Sequence, residues 1–199
     1  MTTRRALLLQ AALFSGLPSA IAVSALAQSR RGPQAPTPSC GEQKSGLTPE
    51  QTEGPYFKPS SPLRASLLEP GLEGTRLRLG GLITDRGCRP LPGVLVDLWQ
   101  ADGGGQYDNA GFRLRGHQFT DSEGRWQVET VVPGLYPGRT RHVHVKLQPP
   151  RGDILTTQLY FPREPGNARD PIFDKRLLMT VAGDETAQIA RYDFVLDLG

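Results

Sequence analysis

The chain has 199 residues, 37% of them hydrophobic and 7% aromatic. This apolar content suffices for one hydrophobic core and excludes wholesale disorder. The 23 glycines and 18 prolines make up about a fifth of the chain, which argues against a helical bundle and favours short strands joined by turns. The net charge is +3, but residues 32–199 carry 19 basic and 20 acidic side chains, so the composition does not indicate a nucleic-acid partner.

The first 27 residues have the features of a secretory signal. A pair of arginines precedes the apolar run 6–27, which closes on Ala-Leu-Ala. Gly16 and Pro18 interrupt this run, which argues against a stable membrane anchor. The Thr-Arg-Arg-Ala-Leu-Leu start resembles a twin-arginine signal, whose route exports folded proteins. We therefore expect an exported protein, periplasmic or extracellular.

Cys40 and Cys88 are the two cysteines of the chain. An even count in an exported protein suggests one disulfide, the alternative being two unrelated thiols. Residues 28–46 are rich in Ser, Pro, Gly and Gln and predict a flexible lead-in. Residues 47–199 are predicted to form the folded domain.

Segments of alternating or β-branched apolar residues begin near Thr75. The predicted strands are 76–79, 93–99, 125–131, 142–147, 156–161 and 192–198. Turn residues such as Asp85–Gly87 and Asp121–Gly124 separate them, and only Asp184–Ile189 is compatible with a helical turn. Short strands at this spacing predict an all-β fold, a sandwich or a barrel.

His142 and His144 lie two residues apart in a predicted strand. Side chains two apart on a strand point to the same face, so both imidazoles are directed at one region. Neutral imidazole binds iron, copper, zinc and nickel. The pair therefore predicts half of a metal site, although a merely polar strand face gives the same pattern.

Two tyrosines are further candidate ligands. Tyr107 follows a glycine run, and Tyr136 lies between two Pro-Gly pairs that turn the chain back towards the histidine strand. A free phenol is neutral at pH 7, because its pKa is about 10. A neighbouring trivalent cation favours the phenolate, a hard donor that suits oxidised iron. The pattern alone does not separate such ligands from structural tyrosines of a β-sandwich.

Four stretches resemble the signature of the intradiol ring-cleavage dioxygenases: Asp97–Tyr107, Leu114–Asp121, Pro133–Val145 and Thr157–Tyr160. They follow the family's order within roughly residues 50–198. The resemblance implies a β-sandwich with an irregular N-terminal arm that holds one non-haem Fe(III) per chain. It also implies the activity, which is insertion of both atoms of O2 into a catechol with cleavage between the two hydroxylated carbons to a cis,cis-muconate.

Carried over position by position, the resemblance implies the iron ligands Tyr107, Tyr136, His142 and His144. The family's active-site arginine falls on Arg139 and its substrate-binding glutamine on Gln158. Tyr136 is expected to leave the iron and accept a proton when a catechol binds. Arg139 is expected to stabilise the charge that develops during the reaction.

The chain also departs from parts of the family. It lacks the helical N-terminal extension of typical catechol dioxygenases, and only residues 137–141 separate Tyr136 from His142, where cytoplasmic protocatechuate enzymes carry an insertion. Both differences leave the substrate and the oligomeric state open. The short interval and the signal peptide look more like the exported members of the family. Glu53–Tyr56 resembles an element near the substrate mouth. His117 matches no ligand position and is expected on the surface or in a loop.

Two other functions are compatible with the same strand pattern. One is a non-catalytic, transthyretin-like binding module, which does not need the two tyrosines and two histidines. The other is an exported copper or zinc protein that uses only His142 and His144. Colour distinguishes them, because charge transfer from tyrosinate to Fe(III) makes a protein red.

Overall fold

The computed structural model describes residues 46–199, and these residues form the predicted all-β sandwich. The strands are β1 (Arg76–Asp85), β2 (Leu95–Trp99), β3 (Arg115–Phe119), β4 (Arg125–Val131), β5 (His142–Gln148), β6 (Leu155–Tyr160), β7 (Thr180–Gly183), β8 (Ala187–Arg191) and β9 (Phe194–Leu196). Two short 3-10 helices, Pro165–Ala168 and Lys175–Leu177, lie between β6 and β7. Residues 1–27, nearly all of the lead-in and Cys40 lie outside the described residues, so the signal and the Cys40–Cys88 disulfide stay predictions.

Two sheets enclose the core. One has the order β4-β1-β8-β7, with β9 paired to the end of β1, and the other has the order β3-β2-β5-β6. Alternate side chains of both sheets meet in one apolar cluster, for example Leu77 and Leu79 of β1 with Val143 and Val145 of β5. Because strand side chains alternate, β5 presents its histidines on the face opposite this core.

The prediction of a helical turn at Asp184–Ile189 is wrong. Residues 187–191 form strand β8, which pairs in parallel with β1 from Arg76 to Gly80. Of the five residues of β8 only Ala190 is buried, so the segment lacks the apolar alternation that marks a half-buried strand. Its hydrogen-bonding partner, which is distant in sequence, determines its conformation.

An irregular N-terminal arm, residues 48–64, covers the outer face of the four-stranded sheet. The backbone N–H of Thr48 donates to Val195 O at 3.0 Å, and that of Gln51 donates to Thr156 O at 2.8 Å. At the far end of the arm, the N–H of Arg64 donates to His117 O at 2.9 Å. The arm and the sheet therefore enclose a second, polar layer beside the apolar core.

No helix within residues 46–199 combines the length and the apolar character needed to cross a bilayer.

Candidate functional site

The two histidines of β5 meet in the polar layer. Their Nε2 atoms lie 3.2 Å apart, and the ring planes are inclined by 78°. Both residues are almost fully buried, with 5% of His142 and 2% of His144 exposed. The strand period of two therefore directs both imidazoles at one point, as predicted.

The surroundings fix the orientation of each ring. The Nδ1–H of His142 donates to the carbonyl oxygen of Thr140 at 2.6 Å, which leaves the Nε2 lone pair of the neutral ring available. The His144 ring stacks on Trp99 with a centroid distance of 4.9 Å and an interplanar angle of 8°. Trp99 lies opposite His144 in the register of β2 and β5.

Both imidazoles are neutral at physiological pH. Burial lowers the pKa of His142 to about 4 and that of His144 well below its usual value, and the Arg139 cation acts in the same direction. A neutral imidazole is the form that binds a metal, so no proton has to be removed from either ring before coordination.

Tyr107 brings a phenol to the same point. Its oxygen lies 3.4 Å from His142 Nε2. Burial raises the pKa of the Tyr107 phenol, an effect that the cations of Arg139 and Arg115 oppose only in part. A phenol in this environment keeps its proton unless a stronger positive charge, such as a metal ion, takes the proton's place.

Tyr136 and Tyr56 complete an aromatic cluster around Tyr107. The Tyr136 ring stands edge-on to Tyr107 at a centroid distance of 5.9 Å. Tyr56 stacks on Tyr107 at 4.2 Å, and its hydroxyl donates to the Tyr136 hydroxyl at 2.8 Å. The N-terminal arm therefore contributes a third tyrosine, which agrees with the expectation that Glu53–Tyr56 lies near the site.

Two glycines bring the tyrosine-bearing loops into contact. Gly105 has a φ of +82°, and a Cβ atom at this position would lie 2.2 Å from Leu135 O. A Cβ atom on Gly134 would lie 2.3 Å from Gly105 N. Neither position accommodates a side chain, so the loops that carry Tyr107 and Tyr136 approach backbone to backbone.

Arg139 and Gln158 contact each other beside the histidines. Arg139 Nη2 donates to Gln158 Oε1 at 2.6 Å and lies 3.4 Å from the Tyr160 hydroxyl. Gln158 pairs with His144 in the register of β5 and β6, and its Nε2 donates to Thr52 O at 2.9 Å. Burial raises the pKa of Tyr160 to about 12, so this phenol is neutral.

His117, expected on the surface or in a loop, lies at an edge of the four-stranded sheet. His117 lies in strand β3, not in a loop, and is partly buried. Its Nδ1 is 3.1 Å from Ser61 Oγ, and the Ser61 hydroxyl also donates to Asp97 at 2.8 Å. These contacts attach the N-terminal arm to the sheet.

Sequence reasoning missed two buried charges next to the site. Arg115, 2% exposed, donates to the carbonyl oxygens of Tyr56 and Asp108 and thereby fixes the backbone beside two of the tyrosines. Asp170 accepts from Arg139 Nε at 2.8 Å. The family pattern contained Leu114-Arg115-Gly116, but nothing in the sequence links Asp170 to Arg139.

The donor set suits a ferric ion. Within residues 46–199 no three His, Cys, Asp or Glu side chains come together as a metal site. A metal at the histidine pair would therefore draw its further protein donors from the neighbouring phenols. Two neutral imidazoles with phenolate oxygens combine borderline and hard donors, which suit Fe(III) better than copper(I) or zinc.

Comparison with known proteins agrees with this geometry. Residues 52–198 match the family model described as Dioxygenase. The protocatechuate 3,4-dioxygenase beta chain of Burkholderia cepacia is 36% identical over 118 residues, covering 50% of this chain and 50% of that protein. The chain spans about half the length of the curated relatives it matches, including a catechol 1,2-dioxygenase of Candida albicans.

Solved structures share the fold. The dioxygenase domain of a dioxygenase carbohydrate-binding protein fusion from Streptomyces sp. SirexAA-E is 54% identical, with a TM-score of 0.75, and the match covers 77% of this chain and 100% of that one. An intradiol ring-cleavage dioxygenase from Tetranychus urticae is 25% identical, with a TM-score of 0.70, covering 76% of this chain and 95% of that one.

Proposed function

This chain belongs to the intradiol ring-cleavage dioxygenase family, and from that premise we propose that it is a non-haem Fe(III) enzyme. It would insert both atoms of O2 into a catechol and cleave the ring between the two hydroxylated carbons. The product would be a cis,cis-muconate or its substituted equivalent. The partners are a small catechol and O2.

One observation carries this proposal. Three potential donors of two residue types lie next to one another: Tyr107 Oη is 3.4 Å from His142 Nε2, which is 3.2 Å from His144 Nε2. A purely structural cluster would have no need to bury two neutral imidazoles with their Nε2 atoms facing each other. Tyr136, whose ring stands edge-on to Tyr107, would supply the fourth donor.

Ferric iron held by Tyr107, Tyr136, His142 and His144 would supply a Lewis acid that favours the catechol dianion and its reaction with O2. We assign Tyr136 as the residue that would accept one of the substrate's protons, and the Tyr56 hydroxyl at 2.8 Å would remain a hydrogen-bonding partner of the protonated phenol. Tyr107 is partly buried and its ring is stacked on that of Tyr56. We assign permanent ligation to Tyr107.

Arg139 and Gln158 would act on the substrate. The Arg139 guanidinium is held beside the histidines by Gln158 Oε1 at 2.6 Å, so it presents a fixed cation to charge that develops on the ring and on oxygen. A cation oriented before the reaction stabilises such charge without reorganisation. Gln158 is in turn held by Thr52 of the arm.

A panel of catechols tests the function. Iron-loaded protein is mixed with catechol, protocatechuate, hydroxyquinol and alkyl- or aryl-substituted catechols, and O2 uptake and ring-opened product are measured. We expect one O2 consumed per muconate formed for at least one member. A colourless protein that neither binds iron nor turns over a catechol would favour the transthyretin-like module. A protein that binds zinc or copper at the histidines and has no activity would favour the simple metal-binding protein.

We also propose that the protein is exported. The arginine pair, the apolar run 6–27 and the Ala-Leu-Ala end support a cleaved signal of the twin-arginine type. N-terminal sequencing of protein recovered outside the cytoplasm should begin at Gln28. Replacing the arginine pair by lysines should retain the protein in the cytoplasm, whereas an unprocessed N-terminus outside the cell would contradict the proposal.

A further inference from the structure

Residues 139–141, which lead into the histidine strand, are all attached to one short segment, residues 164–170. Arg139 bonds to Asp170, Thr140 Oγ1 donates to Asn167 Oδ1 at 2.7 Å, and Arg141 Nε donates to Glu164 at 2.7 Å. The segment follows β6 and includes the 3-10 helix Pro165–Ala168. This segment therefore holds the connection between Tyr136 and His142 in place through side-chain bonds.

Asp170 is the buried charge of this segment. Its side chain is 1% exposed. The oxygen Oδ2 accepts from Arg139 Nε at 2.8 Å and from the backbone N–H of Thr140 at 2.9 Å, and Oδ1 accepts from the N–H of Ile172 at 3.1 Å. Burial alone would raise the pKa of Asp170, but these N–H groups and the Arg139 cation outweigh it and hold the pKa below its usual value.

Thr140 transmits this contact to a predicted iron ligand. Its N–H donates to Asp170, while its carbonyl oxygen accepts the Nδ1–H of His142 at 2.6 Å. The carboxylate therefore holds the backbone at Thr140 from one side, and the carbonyl oxygen of the same residue determines which His142 nitrogen carries the proton. Partners of this kind orient a metal-binding histidine and keep its other nitrogen free for the metal.

We propose that Asp170 is a positioning residue for the reaction, which holds the Arg139 guanidinium towards Gln158 and fixes the His142 imidazole through Thr140. The proposal rests on the proposed function for its effect on turnover. A carboxylate is needed because Oδ2 accepts two N–H groups while Oδ1 accepts a third. An asparagine presents a single oxygen, so its NH2 group would face either Arg139 and Thr140 or Ile172.

The variant Asp170→Asn tests the proposal, with Asp174→Asn as the matched control. Asp174 caps the 3-10 helix Lys175–Leu177 and pairs with Arg176, away from the histidines. Iron per chain, kcat, KM and the solvent exchange of the His142 Nδ1–H in the iron-free protein, measured by NMR, are compared. For Asp170→Asn we expect iron binding to persist, kcat to fall roughly 10- to 100-fold and the Nδ1–H to exchange at least about tenfold faster.

The control should leave kcat and the exchange rate at their wild-type values. Wild-type kcat together with wild-type exchange in Asp170→Asn would overturn the proposal. The exchange measurement needs no iron and no turnover, so an absence of dioxygenase activity in the wild-type protein would refute the proposed function and leave the positioning of His142 testable.

A double-mutant cycle with Arg139→Met examines the route to turnover. If Asp170 acts on kcat mainly through Arg139, the double variant should have nearly the kcat of Arg139→Met alone. Fully additive losses of kcat would show that Asp170 does not act through Arg139. If Asp170→Asn does not fold, Arg139→Lys is used in its place, because it retains the Asp170 carboxylate that binds the Thr140 N–H. The His142 Nδ1–H should then exchange at the wild-type rate. Faster exchange would overturn the link through Thr140.

Discussion

The hydroxyl of Tyr56 donates to the hydroxyl of Tyr136 at 2.8 Å, although the two residues are 80 positions apart. Tyr56 belongs to the N-terminal arm, and Tyr136 lies in the loop that leads to the histidine strand. The contact means that the arm completes the surroundings of the loop that carries the proposed ligand Tyr136. It also gives the Tyr136 oxygen a partner that is independent of any metal.

Replacing Tyr56 with Phe should lower activity more than it lowers stability. The phenyl ring retains the stack on Tyr107, whereas the hydrogen bond to Tyr136, worth about 1 kcal/mol, is lost. We expect activity per bound iron to fall about fivefold, with the thermal unfolding midpoint little changed. Tyr192→Phe, which removes a hydroxyl bonded to Arg176 O, is the control. Wild-type activity per iron in Tyr56→Phe would show that this bond plays no part in turnover.

The variants Tyr136→Phe and His144→Ala should separate turnover from metal retention. Tyr136→Phe leaves three donors, so iron should bind more weakly while activity per bound iron falls far more than iron content. His144→Ala removes one of the two imidazoles and should lose most of the metal. Iron per chain and activity per iron are measured for both. Normal activity per iron in Tyr136→Phe would refute its assignment as the proton-accepting ligand.

Gly134→Ala should force the two tyrosine loops apart. The added methyl group would lie 2.3 Å from Gly105 N and 2.5 Å from Gly103 O, both backbone atoms. We expect the free energy of unfolding to fall by about 2 kcal/mol and iron per chain to fall with it. Gly46→Ala, where a Cβ meets open space, is the control. Full iron content in Gly134→Ala would mean that the loops need not touch to bind the metal.

Asp85 should stabilise the turn after β1 in a pH-dependent manner. Its carboxylate accepts from the N–H of Arg89 at 2.9 Å, from Arg89 Nε at 2.6 Å and from the N–H of Gly87 at 2.8 Å, and these bonds hold its pKa below the usual 3.8. Because the pKa is lower in the folded state, the stabilisation is present above about pH 4 and is lost as the pH falls through the folded-state pKa. Asp85→Asn should cost about 2 kcal/mol at pH 7.

The comparison is made by denaturant unfolding at pH 7 and pH 3, with the exposed Asp153→Asn as control. The difference between wild type and Asp85→Asn should shrink at pH 3. An equal difference at both pH values would show that charge at Asp85 does not account for the effect.

Alternation of apolar residues was sufficient to locate six strands and the two histidines. In β5, Val143, Val145 and Leu147 are buried in the core while His142 and His144 point the other way, so the period of two is readable from the sequence. Strand β7 has no buried residue and β8 has one, so neither carries that signal. Such strands depend on pairing with β1 and β8, which a local pattern does not encode.

The proposed ligands were found from the sequence, but the charged residues that support them were not. The Pro-Gly pairs and the glycine run around Tyr136 and Tyr107 are local signals of tight loops, and family resemblance supplied the roles. Asp170 lies 31 residues from Arg139, and Arg115 lies 59 from Tyr56. Only the folded chain brings these charges to the site, because the contacts follow from sheet order and from the path of the arm.

The most direct test of the central claim is a titration of metal-free protein with ferric iron, followed by visible absorption. If Tyr107 and Tyr136 bind the metal with His142 and His144, a phenolate-to-iron charge-transfer band should grow to a plateau at one iron per chain. The band should shift when catechol is added, and should weaken in Tyr107→Phe and in Tyr136→Phe but not in Tyr192→Phe. One bound iron without a visible band, or a band that neither ligand variant alters, would contradict the account.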